Sequence, residues 1–342
     1  MVSIRNFKVR SVGIRDVAKK AGVAVGTVSR VLNDHPSVTA ERRALIKSVI
    51  AELNYRPDVF AQSMRKKTSK TIGVIIPDLK NPFFAELIDI VERELGERGY
   101  NVFLVSSRES AEADREHMAA LANRKVDGLI VIPSQRTMTM PVVNGIPLVV
   151  VDRPVAGRSV VGANHRGGAR LAVRYLLSLG HVRIACIAGL KGTAPARDRL
   201  AGYLDVMRPQ FRIAGLTADE FIAYSRFDYE GGRTATNALL SGPKQRPTAI
   251  FASSDQQAIG ALRLAADLNI RVPEQLSIVG FDGIPVSDLV TPRLTTVAQP
   301  IAEIARAAVG LLLKPDSRAA SGVSVLFDCL LIKRDSCARV PA

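Results

Sequence analysis

The sequence predicts a multidomain fold, with a small all-α head at its amino end and a larger two-lobed α/β domain built from doubly wound parallel sheets. Short helical patterns fill residues 13–55. From Thr71 onward, apolar runs rich in β-branched residues alternate with amphipathic stretches, which is typical of parallel sheets covered by helices on both faces. The part of the chain after Thr71 is longer than one sheet domain usually is, and this length predicts two lobes.

The head begins with two short predicted helices, residues 14–21 and 25–33, joined by a tight turn at Gly22. The second helix has one apolar face and one face of small or hydrogen-bonding side chains. The apolar face is Val28, Val31 and Leu32, and the opposite face is Gly26, Ser29, Arg30 and Asn33. A helix with so slim a polar face fits a DNA major groove, where an arginine can contact guanine with two hydrogen bonds. An ordinary αα-hairpin is the alternative interpretation.

A third helix is predicted over residues 40–53. Thr39 is a suitable N-cap, and Glu41 places an anion in the first turn, where the helix dipole favours it. Pro57 ends this segment, and residues 58–70 that follow are basic.

Strands and helices alternate along the predicted α/β domain. Its buried strands are predicted at TIGVII, NVFLVS, DGLIVI, PLVVVD, RIACIAG, TAIFAS and LSIVGFD. The helical stretches between them cover residues 83–98, 111–124, 167–179, 230–240, 255–269 and 300–313. Continuous β-branched runs belong to sheets that are covered on both faces, so the pattern indicates doubly wound sheets.

The charge of the chain is concentrated in its first fifth. The 342 residues carry a formal net charge of +15. Residues 1–70 hold 15 Lys and Arg against 5 Asp and Glu, so they account for +10 of that charge. A positive field confined to one terminal module predicts binding to a polyanion, of which nucleic acid is the commonest. The alternative is a solvated basic tail.

Cysteine usage and hydropathy bear on the compartment. The 3 cysteines, Cys186, Cys329 and Cys337, share no metal-ligand spacing and fit a reduced cytosol. The sequence contains neither an apolar run long enough to span a bilayer nor a secretory signal pattern at its amino end. We therefore expect a cytoplasmic protein with no metal, no cofactor and no membrane partner.

Residues suited to catalysis do not form catalytic motifs in this sequence. The 4 histidines, His35, His117, His165 and His181, lie in no nucleophile or metal motif. The stretch GLKGT at 189–193 is only superficially similar to a phosphate-binding loop, because the Walker pattern is not met. The sequence therefore predicts a protein that is not an enzyme.

The stretch IRDVAKKAGVAVGTVSRVLN, followed by VTAERRALIKSVIAELNYRP, resembles the DNA-binding head of LacI/GalR-family transcriptional regulators. The resemblance runs from Ile14 nearly to the carboxyl end. It implies base-reading positions at Val25, Gly26 and Arg30, and phosphate contacts at Thr27, Ser29, Asn33 and Tyr55. Two positions, Gly13 and Gly26, depart from the family. Gly13 stands where a Thr or Ser usually caps the first helix. Gly26 has no side chain to read a base, so Arg30 and the methyl groups of Val25 carry most of the direct readout.

The stretch DVFAQSMRKK, residues 58–67, resembles the hinge helix of the family. A helix this short is marginal alone in water, and in the family the twin helix of a dimer supports it in the minor groove. The resemblance places Ala61 and Met64 there, with Met64 at the lever position that is usually Leu. A solvated linker is the alternative.

The α/β part resembles the family's effector domain, which has the fold of type I periplasmic sugar-binding proteins. The predicted domains are a basic tail (1–12), a helix-turn-helix domain (13–57), a hinge helix and linker (58–70) and an effector-binding and dimerisation domain (71–342). The two lobes are expected at 71–163 plus 292–320, and at 164–291 plus 321–335.

The resemblance also implies a set of effector contacts just past the strands, where two-lobed folds bind ligands. These are Asn81, Phe83, Phe84, Asp152, Arg153, Arg199, Phe227, Ser254, Asp282 and Gln299. Ser254 stands where the ribose-binding members usually carry Asn. Two Asp and two Arg make the set roughly neutral, and the two residue types accept and donate hydrogen bonds as sugar hydroxyls require. This chemistry favours an uncharged sugar.

These observations predict a sequence-specific DNA-binding regulator without catalytic activity. We expect a homodimeric repressor on a near-palindromic, double-stranded operator, controlled by a monosaccharide bound between the lobes. Two alternatives remain: a regulator of the same architecture that responds to a purine, a nucleoside or another metabolite, and a sugar-binding protein without a DNA role.

Overall fold

The computed structural model divides the chain into two compact units, residues 1–69 and 70–342. It describes residues 12–55, 68–134, 145–155, 158, 160–242, 245–314 and 324–340. The predicted basic tail and the predicted hinge helix, with Ala61 and Met64, lie outside the described residues and stay predictions.

Three helices form the amino-terminal unit: α1 (Ile14–Lys20), α2 (Val25–Leu32) and α3 (Ala40–Glu52). Their packed core has Val17, Val28 and Ile46 at 0% exposure. Gly22, between α1 and α2, has a φ of +64°, a conformation that glycine adopts without steric cost. The predicted helix-turn-helix arrangement is therefore confirmed.

The first helix is capped despite its glycine. The backbone N–H of Gly13 donates to Oδ2 of Asp16 at 2.8 Å, so the acid in the first turn supplies the bond. At the start of α3, Oγ1 of Thr39 accepts from the backbone N–H of Arg42 at 3.4 Å, the N-cap expected there.

The first sheet of the second unit consists of parallel strands in the order β2-β1-β3-β4-β5-β11. The strands are β1 (Thr71–Ile76), β2 (Asn101–Ser106), β3 (Gly128–Val131), β4 (Leu148–Val151), β5 (Val160–Ala163) and β11 (Ser324–Phe327). Helices α4 (Pro82–Gly96), α5 (Ala111–Asn123) and α10 (Ile301–Leu312) pack against it. This sheet and its helices form lobe one.

The second sheet repeats that winding, in the order β7-β6-β8-β9-β10-β12, and only β12 runs antiparallel to its neighbour. Its strands are β6 (Ile184–Gly189), β7 (Ile222–Ser225), β8 (Ala249–Ala252), β9 (Ser277–Asp282), β10 (Thr295–Ala298) and β12 (Leu330–Ile332). Helices α6 (His165–Ser178), α7 (Ala194–Ala214), α8 (Tyr229–Ser241) and α9 (Asp255–Asp267) complete lobe two, with short 3-10 helices at Ala218–Phe221 and Pro285–Asp288. The predicted doubly wound α/β architecture is confirmed.

The chain crosses from one lobe to the other three times: after β5, after β10 and after β11. Two expected lobe assignments need correction. Residues 292–320 were expected in lobe one, but β10 extends the second sheet, with Thr295 opposite Val279. Residues 321–335 were expected in lobe two, but β11 pairs with β5, with Ser324 opposite Val160. Neither β10 nor β11 is among the strands that the sequence pattern predicted, so the pattern could not report which sheet each one joins, and this explains both errors.

In the described part of the chain, no helix combines the length and the apolar character that crossing a membrane requires. Within the same residues, His, Cys, Asp and Glu side chains form no group of three or more suited to a metal ion.

Candidate ligand cleft and nucleic-acid interface

A cavity of about 390 Å³, which we call the outer cavity, lies between the two lobes. Residues that follow the carboxyl ends of strands in both sheets line it. They are Asp78, Asn81, Glu109, Ser134 and Arg153 of lobe one, and Leu190, Lys191, Gly192, Thr193, Arg226, Phe227 and Asp228 of lobe two. The position matches the ligand site of doubly wound sheets, which lies beyond the carboxyl ends of the strands.

Three of the ten predicted effector residues, Asn81, Arg153 and Phe227, line the outer cavity. The other seven do not line it, and each is less than one-tenth exposed. They are Phe83, Phe84, Asp152, Arg199, Ser254, Asp282 and Gln299.

A hydrogen-bonded chain of side chains, which we call the site floor, runs from lobe one to lobe two. It consists of Asp152, His165, Arg199, Asp282 and Gln299. Oδ1 of Asp152 lies 2.9 Å from Nε2 of His165, whose Nδ1 lies 3.3 Å from Nε of Arg199. Nη1 of Arg199 lies 3.1 Å from Oδ1 of Asp282, to which Nε2 of Gln299 donates at 2.8 Å. All five residues are buried, so their orientations are coupled.

The Arg199 guanidinium connects the site floor to the outer cavity. Its Cζ lies 3.9 Å from the centroid of the Phe281 ring and 5.7 Å from that of Phe227. A cation held over aromatic faces in a desolvated place is stabilised by their quadrupoles. Because Phe227 also lines the outer cavity, a ligand there comes close to Arg199.

Arg153 is fixed by lobe one. Its Nη1 donates to Oε2 of Glu109 and to the backbone carbonyls of Pro133 and Ser134, each at 3.0 Å. Its Nε is buried without a hydrogen-bond partner among the described residues, and the nearest carboxylate oxygen, Oδ2 of Asp152, is 3.9 Å away. Within the same residues Oε1 of Gln299 also lacks a partner. A buried donor and a buried acceptor without partners are unusual in a folded protein, and both belong to the predicted effector set.

Burial shifts the pKa values of the site carboxyls in different directions. Burial raises the pKa of Asp282, although Arg199 and Gln299 oppose this shift. Burial also acts to raise the pKa of Asp152, but the hydrogen bond from His165 and the charges of Arg153 and Arg199 lower it below its ordinary value. Asp152 is therefore the carboxylate that the site holds ionised most firmly.

Both site carboxyls are carried on unusual backbone. Asp152 has a φ of +64° and Asp282 a φ of +119°. Non-glycine residues with positive φ are uncommon, and such strained positions concentrate at functional sites. The unusual backbone therefore marks Asp152 and Asp282, which the resemblance also implies as effector contacts.

Several predicted contacts have structural roles. Ser254 caps α9, because its Oγ accepts from the backbone N–H of Gln257 at 3.2 Å. Asn81 caps α4, because its Oδ1 accepts from the N–H of Phe83 at 3.0 Å. Phe83 and Phe84 lie in the apolar core with ring centroids 5.4 Å apart. The capping role of Asn81 uses only its Oδ1, so its amide nitrogen remains available to a ligand. Ser254 uses its only side-chain oxygen as a cap, so it is the predicted effector contact with the least support.

Nine of the twelve residues that line the outer cavity were not predicted, Glu109 and Ser134 among them, and neither were His165 of the site floor and Phe281 beside Arg199. His165 lies two residues after the end of β5, a strand that the sequence pattern did not identify. Reading the residues that follow every strand would have found His165, so the missed strand explains the missed residue. Phe281 lies inside β9, where an aromatic residue carries no sign of its contact with Arg199.

The head presents its predicted DNA-reading residues on α2. Val25 is 39% exposed, and Gly26 and Arg30 are exposed too. Arg30 forms no ion pair with any described residue, so its guanidinium is available to a nucleic acid. Thr27 and Ser29 are half-buried beside them.

Asn33 and Tyr55 have roles in the folded head. Nδ2 of Asn33 donates to the carbonyl of Ser29 at 2.7 Å, and this contact closes the end of α2. Tyr55 is half-buried against the core of the head. Their predicted phosphate contacts stay predictions.

Comparison with known proteins adds to this geometry. The pattern of the bacterial regulatory proteins of the lacI family matches residues 13–58, and that of the periplasmic binding protein-like domain matches residues 173–337. A ribose operon repressor of Halalkalibacterium halodurans is 41% identical over 304 residues, covering 88% of this chain and 89% of that protein. The transcriptional repressor PurR of Haemophilus influenzae is 35% identical over 316 residues, covering 91% and 93%. Both relatives are repressors and not enzymes.

Solved structures show the same architecture. A lac repressor dimer bound to operator and an anti-inducer has a TM-score of 0.83 at 28% identity, covering 96% of this chain and 100% of that chain. A lacI-family regulator from Enterococcus faecium with bound ribose has a TM-score of 0.68 at 28% identity, covering 79% and 100%.

Proposed function

Because the chain belongs to the lacI family of bacterial regulatory proteins, we propose that its effector is a neutral monosaccharide, with D-ribose as the first candidate. The protein is a DNA-binding repressor that responds to a sugar or another metabolite. The finer proposal rests on the composition of the cleft and on two relatives, one named as a ribose operon repressor and one solved with ribose.

The observation that carries the proposal is the balance of charge and hydrogen-bonding capacity of the site floor taken together with Arg153 of the outer cavity. Asp152 and Asp282 face Arg153 and Arg199, so the set has no excess charge that would require an ionic ligand. The unpartnered Nε of Arg153 can donate and the unpartnered Oε1 of Gln299 can accept. A sugar hydroxyl does both, which makes a polyhydroxyl ligand complementary to this site. The Phe227 ring can cover an apolar face of that ligand.

We propose the same partners for the head as the resemblance implies. Two heads of a homodimer would occupy successive major grooves of a near-palindromic operator, with Arg30 and Val25 reading bases. The exposure of those two side chains on α2 supports the proposal, as does the related lac repressor, which was solved as a dimer on operator. A protein with this role works in the compartment that holds the DNA.

A purine is the second candidate effector. The PurR relative, at 35% identity, favours it, and the Phe227 ring could stack on a purine base as well as on a sugar. A purine offers fewer hydroxyl-type partners to the carboxylates of the site floor, and for this reason we place it second.

Calorimetric titration of the full-length protein separates the candidates. D-ribose, D-glucose, ribose 5-phosphate and hypoxanthine would each be titrated under the same conditions. The proposal predicts saturable binding of D-ribose and much weaker binding of its phosphate, because the phosphate adds charge to a balanced site. Preferential binding of hypoxanthine would move the assignment to the purine class. Preferential binding of the phosphate would contradict the neutral-ligand argument.

A further inference from the structure

We propose that His165 is a positioning residue of the effector site, whose neutral imidazole holds Asp152 and Arg199 in register across the two lobes. The inference rests on the proposed function of the cleft and deepens it. It concerns a residue that neither the sequence pattern nor the family resemblance selects.

His165 lies where the chain crosses from lobe one to lobe two. It is the first residue of α6 of lobe two, and only Asn164 separates it from β5 of lobe one. The preceding residue, Asn164, is hydrogen-bonded to the end of β11 of lobe one and to the segment that connects it to β12 of lobe two. Its backbone N–H donates to the carbonyl of Phe327 at 2.7 Å, and its Nδ2 donates to Oδ1 of Asp328 at 2.9 Å. A change in the angle between the lobes must therefore act on the backbone that carries His165.

The contacts of the ring determine its tautomer. A guanidinium has only N–H donors, so Nδ1, which faces Nε and Nη2 of Arg199 at 3.3 Å each, must be the unprotonated nitrogen. The ring proton is then on Nε2, which donates to Oδ1 of Asp152 at 2.9 Å. The imidazole thus accepts from α7 of lobe two and donates to the residue after β4 of lobe one.

This arrangement decides which polar atoms remain for an effector. Arg199 uses Nε and Nη2 on His165, and it uses Nη1 on Asp282 and on the carbonyl of Ser253. Asp152 uses Oδ1 on His165, so Oδ2 is the oxygen left for a donor. Without the imidazole, both side chains would be free to rotate or to pair with each other, and the site would lose its preorganisation.

Because His165 is buried, losing its hydrogen bonds to Asp152 and Arg199 would cost free energy. His165 is 5% exposed, and its ring centroid lies 5.9 Å from that of Phe281. A buried polar pair that loses its partner is left with an unmet hydrogen bond, and both partners here are charged groups. Packing against Phe281 requires only a ring, whereas positioning Asp152 and Arg199 requires the ring nitrogens. The two roles can therefore be separated by substitution.

Two variants of full-length protein make that separation. His165→Phe keeps an aromatic ring against Phe281 and removes both nitrogens, whereas His165→Gln keeps one donor and one acceptor. We expect His165→Phe to weaken D-ribose binding by about 10- to 100-fold, the loss expected for hydrogen bonds to charged groups, and His165→Gln to recover most of it. Operator affinity without sugar should change less than about threefold in both, since both substitutions leave every residue of the head unchanged. His117→Phe is the matched control, because half-buried His117 on α5 lines neither the outer cavity nor the site floor.

Equal D-ribose affinity in His165→Phe and the wild type would overturn the proposal. Equal loss in the Phe and Gln variants, or a parallel loss of operator binding, would show a packing role and overturn it as well. A second measurement needs no ligand: ring ¹H–¹⁵N correlation spectra of the wild type should show the Nε2–H tautomer. Protonation of Nδ1 at neutral pH would contradict the proposal. If the wild type binds none of the four titrated compounds, the proposed function fails, whereas the spectra still decide whether His165 forms the described link.

Discussion

Nη1 of Arg199 lies 3.1 Å from Oδ1 of Asp282, and the two residues are 4% and 6% exposed. The pair is buried, yet burial keeps the pKa of Asp282 above its ordinary value despite the neighbouring guanidinium. Ionising Asp282 therefore costs the unliganded fold free energy. A ligand contact would give this buried carboxyl a role, and that is the role proposed for it.

Asp282→Asn tests this directly. The amide keeps Oδ1 as an acceptor for Arg199 and Gln299 but removes the charge that burial disfavours. We expect the free energy of unfolding at neutral pH not to fall, while D-ribose affinity falls about 10- to 100-fold because a charged acceptor is replaced by a neutral one. Chemical denaturation and calorimetry measure the two quantities. A large loss of stability with intact sugar binding would assign Asp282 a structural role.

Gly189 sets the position of Phe227. A Cβ built on Gly189 would lie 2.2 Å from Cζ of the Phe227 ring, much closer than real contacts allow. Gly189→Ala should therefore push the ring away from its place in the outer cavity and weaken D-ribose binding, with little effect on operator binding. Gly96→Ala is the control, since a Cβ there meets nothing within 4 Å. If titration finds the same affinity in both variants, the Phe227 ring is not part of the site.

Arg30 should carry base recognition. Arg30→Ala should cost about 1–3 kcal/mol on a selected operator duplex and much less on a random duplex of equal length. Fluorescence anisotropy at fixed ionic strength measures both affinities, and the random duplex is the control for phosphate contacts. Equal losses on the two duplexes would place Arg30 on the phosphate backbone instead.

Asp255 gives the fold a pH dependence. It is fully buried, and Oδ2 accepts from the backbone N–H groups of Gly283 and Ile284 at 2.8 and 2.9 Å. Burial, reinforced by the charge of Asp282, raises its pKa to about 8. The folded state therefore binds a proton that the unfolded chain has released above about pH 4. By linkage, the contribution of this carboxyl to stability is full below about pH 4 and is lost as the pH rises towards 8.

Asp255→Asn mimics the protonated carboxyl. Its oxygen can accept from Gly283 and Ile284, and its amide can donate to Oγ1 of Thr296, which now lies 2.5 Å from Oδ1 of Asp255. We expect the variant to gain free energy of unfolding relative to the wild type as the pH is raised from 5 to 8. Urea denaturation of both proteins across that window is the measurement. A constant difference between the two proteins would show that Asp255 does not titrate there.

The sequence was sufficient for elements whose local signal is strong. β-Branched runs such as that of β1 mark buried strands, and the turn at Gly22 with the apolar face of α2 marks the helix-turn-helix head. Weaker signals failed: β5, β7, β10, β11 and β12 are not among the predicted strands, so the pattern could not assign them to a sheet. Pairing between distant segments decides those features, so local periodicity does not contain them.

For the site, the sequence identified several of the residues but did not show which of them contact one another. The family resemblance identified Asn81, Arg153 and Phe227, which line the outer cavity. It could not show that Ser254 caps a helix, because capping depends on a backbone geometry visible only in three dimensions. Nor could it show that His165 links Asp152 to Arg199, since their proximity follows from the passage of the chain between the lobes.

We propose that a sugar in the cleft controls how tightly the head binds its operator. Full-length protein would first select its preferred duplex from a random pool, and its affinity for that duplex would then be measured with and without saturating D-ribose. We expect a sequence preference at moderate ionic strength and an operator affinity that D-ribose lowers by about 5- to 150-fold, the usual range of allosteric coupling. An operator affinity that is the same with and without D-ribose, although the sugar is bound, would contradict it.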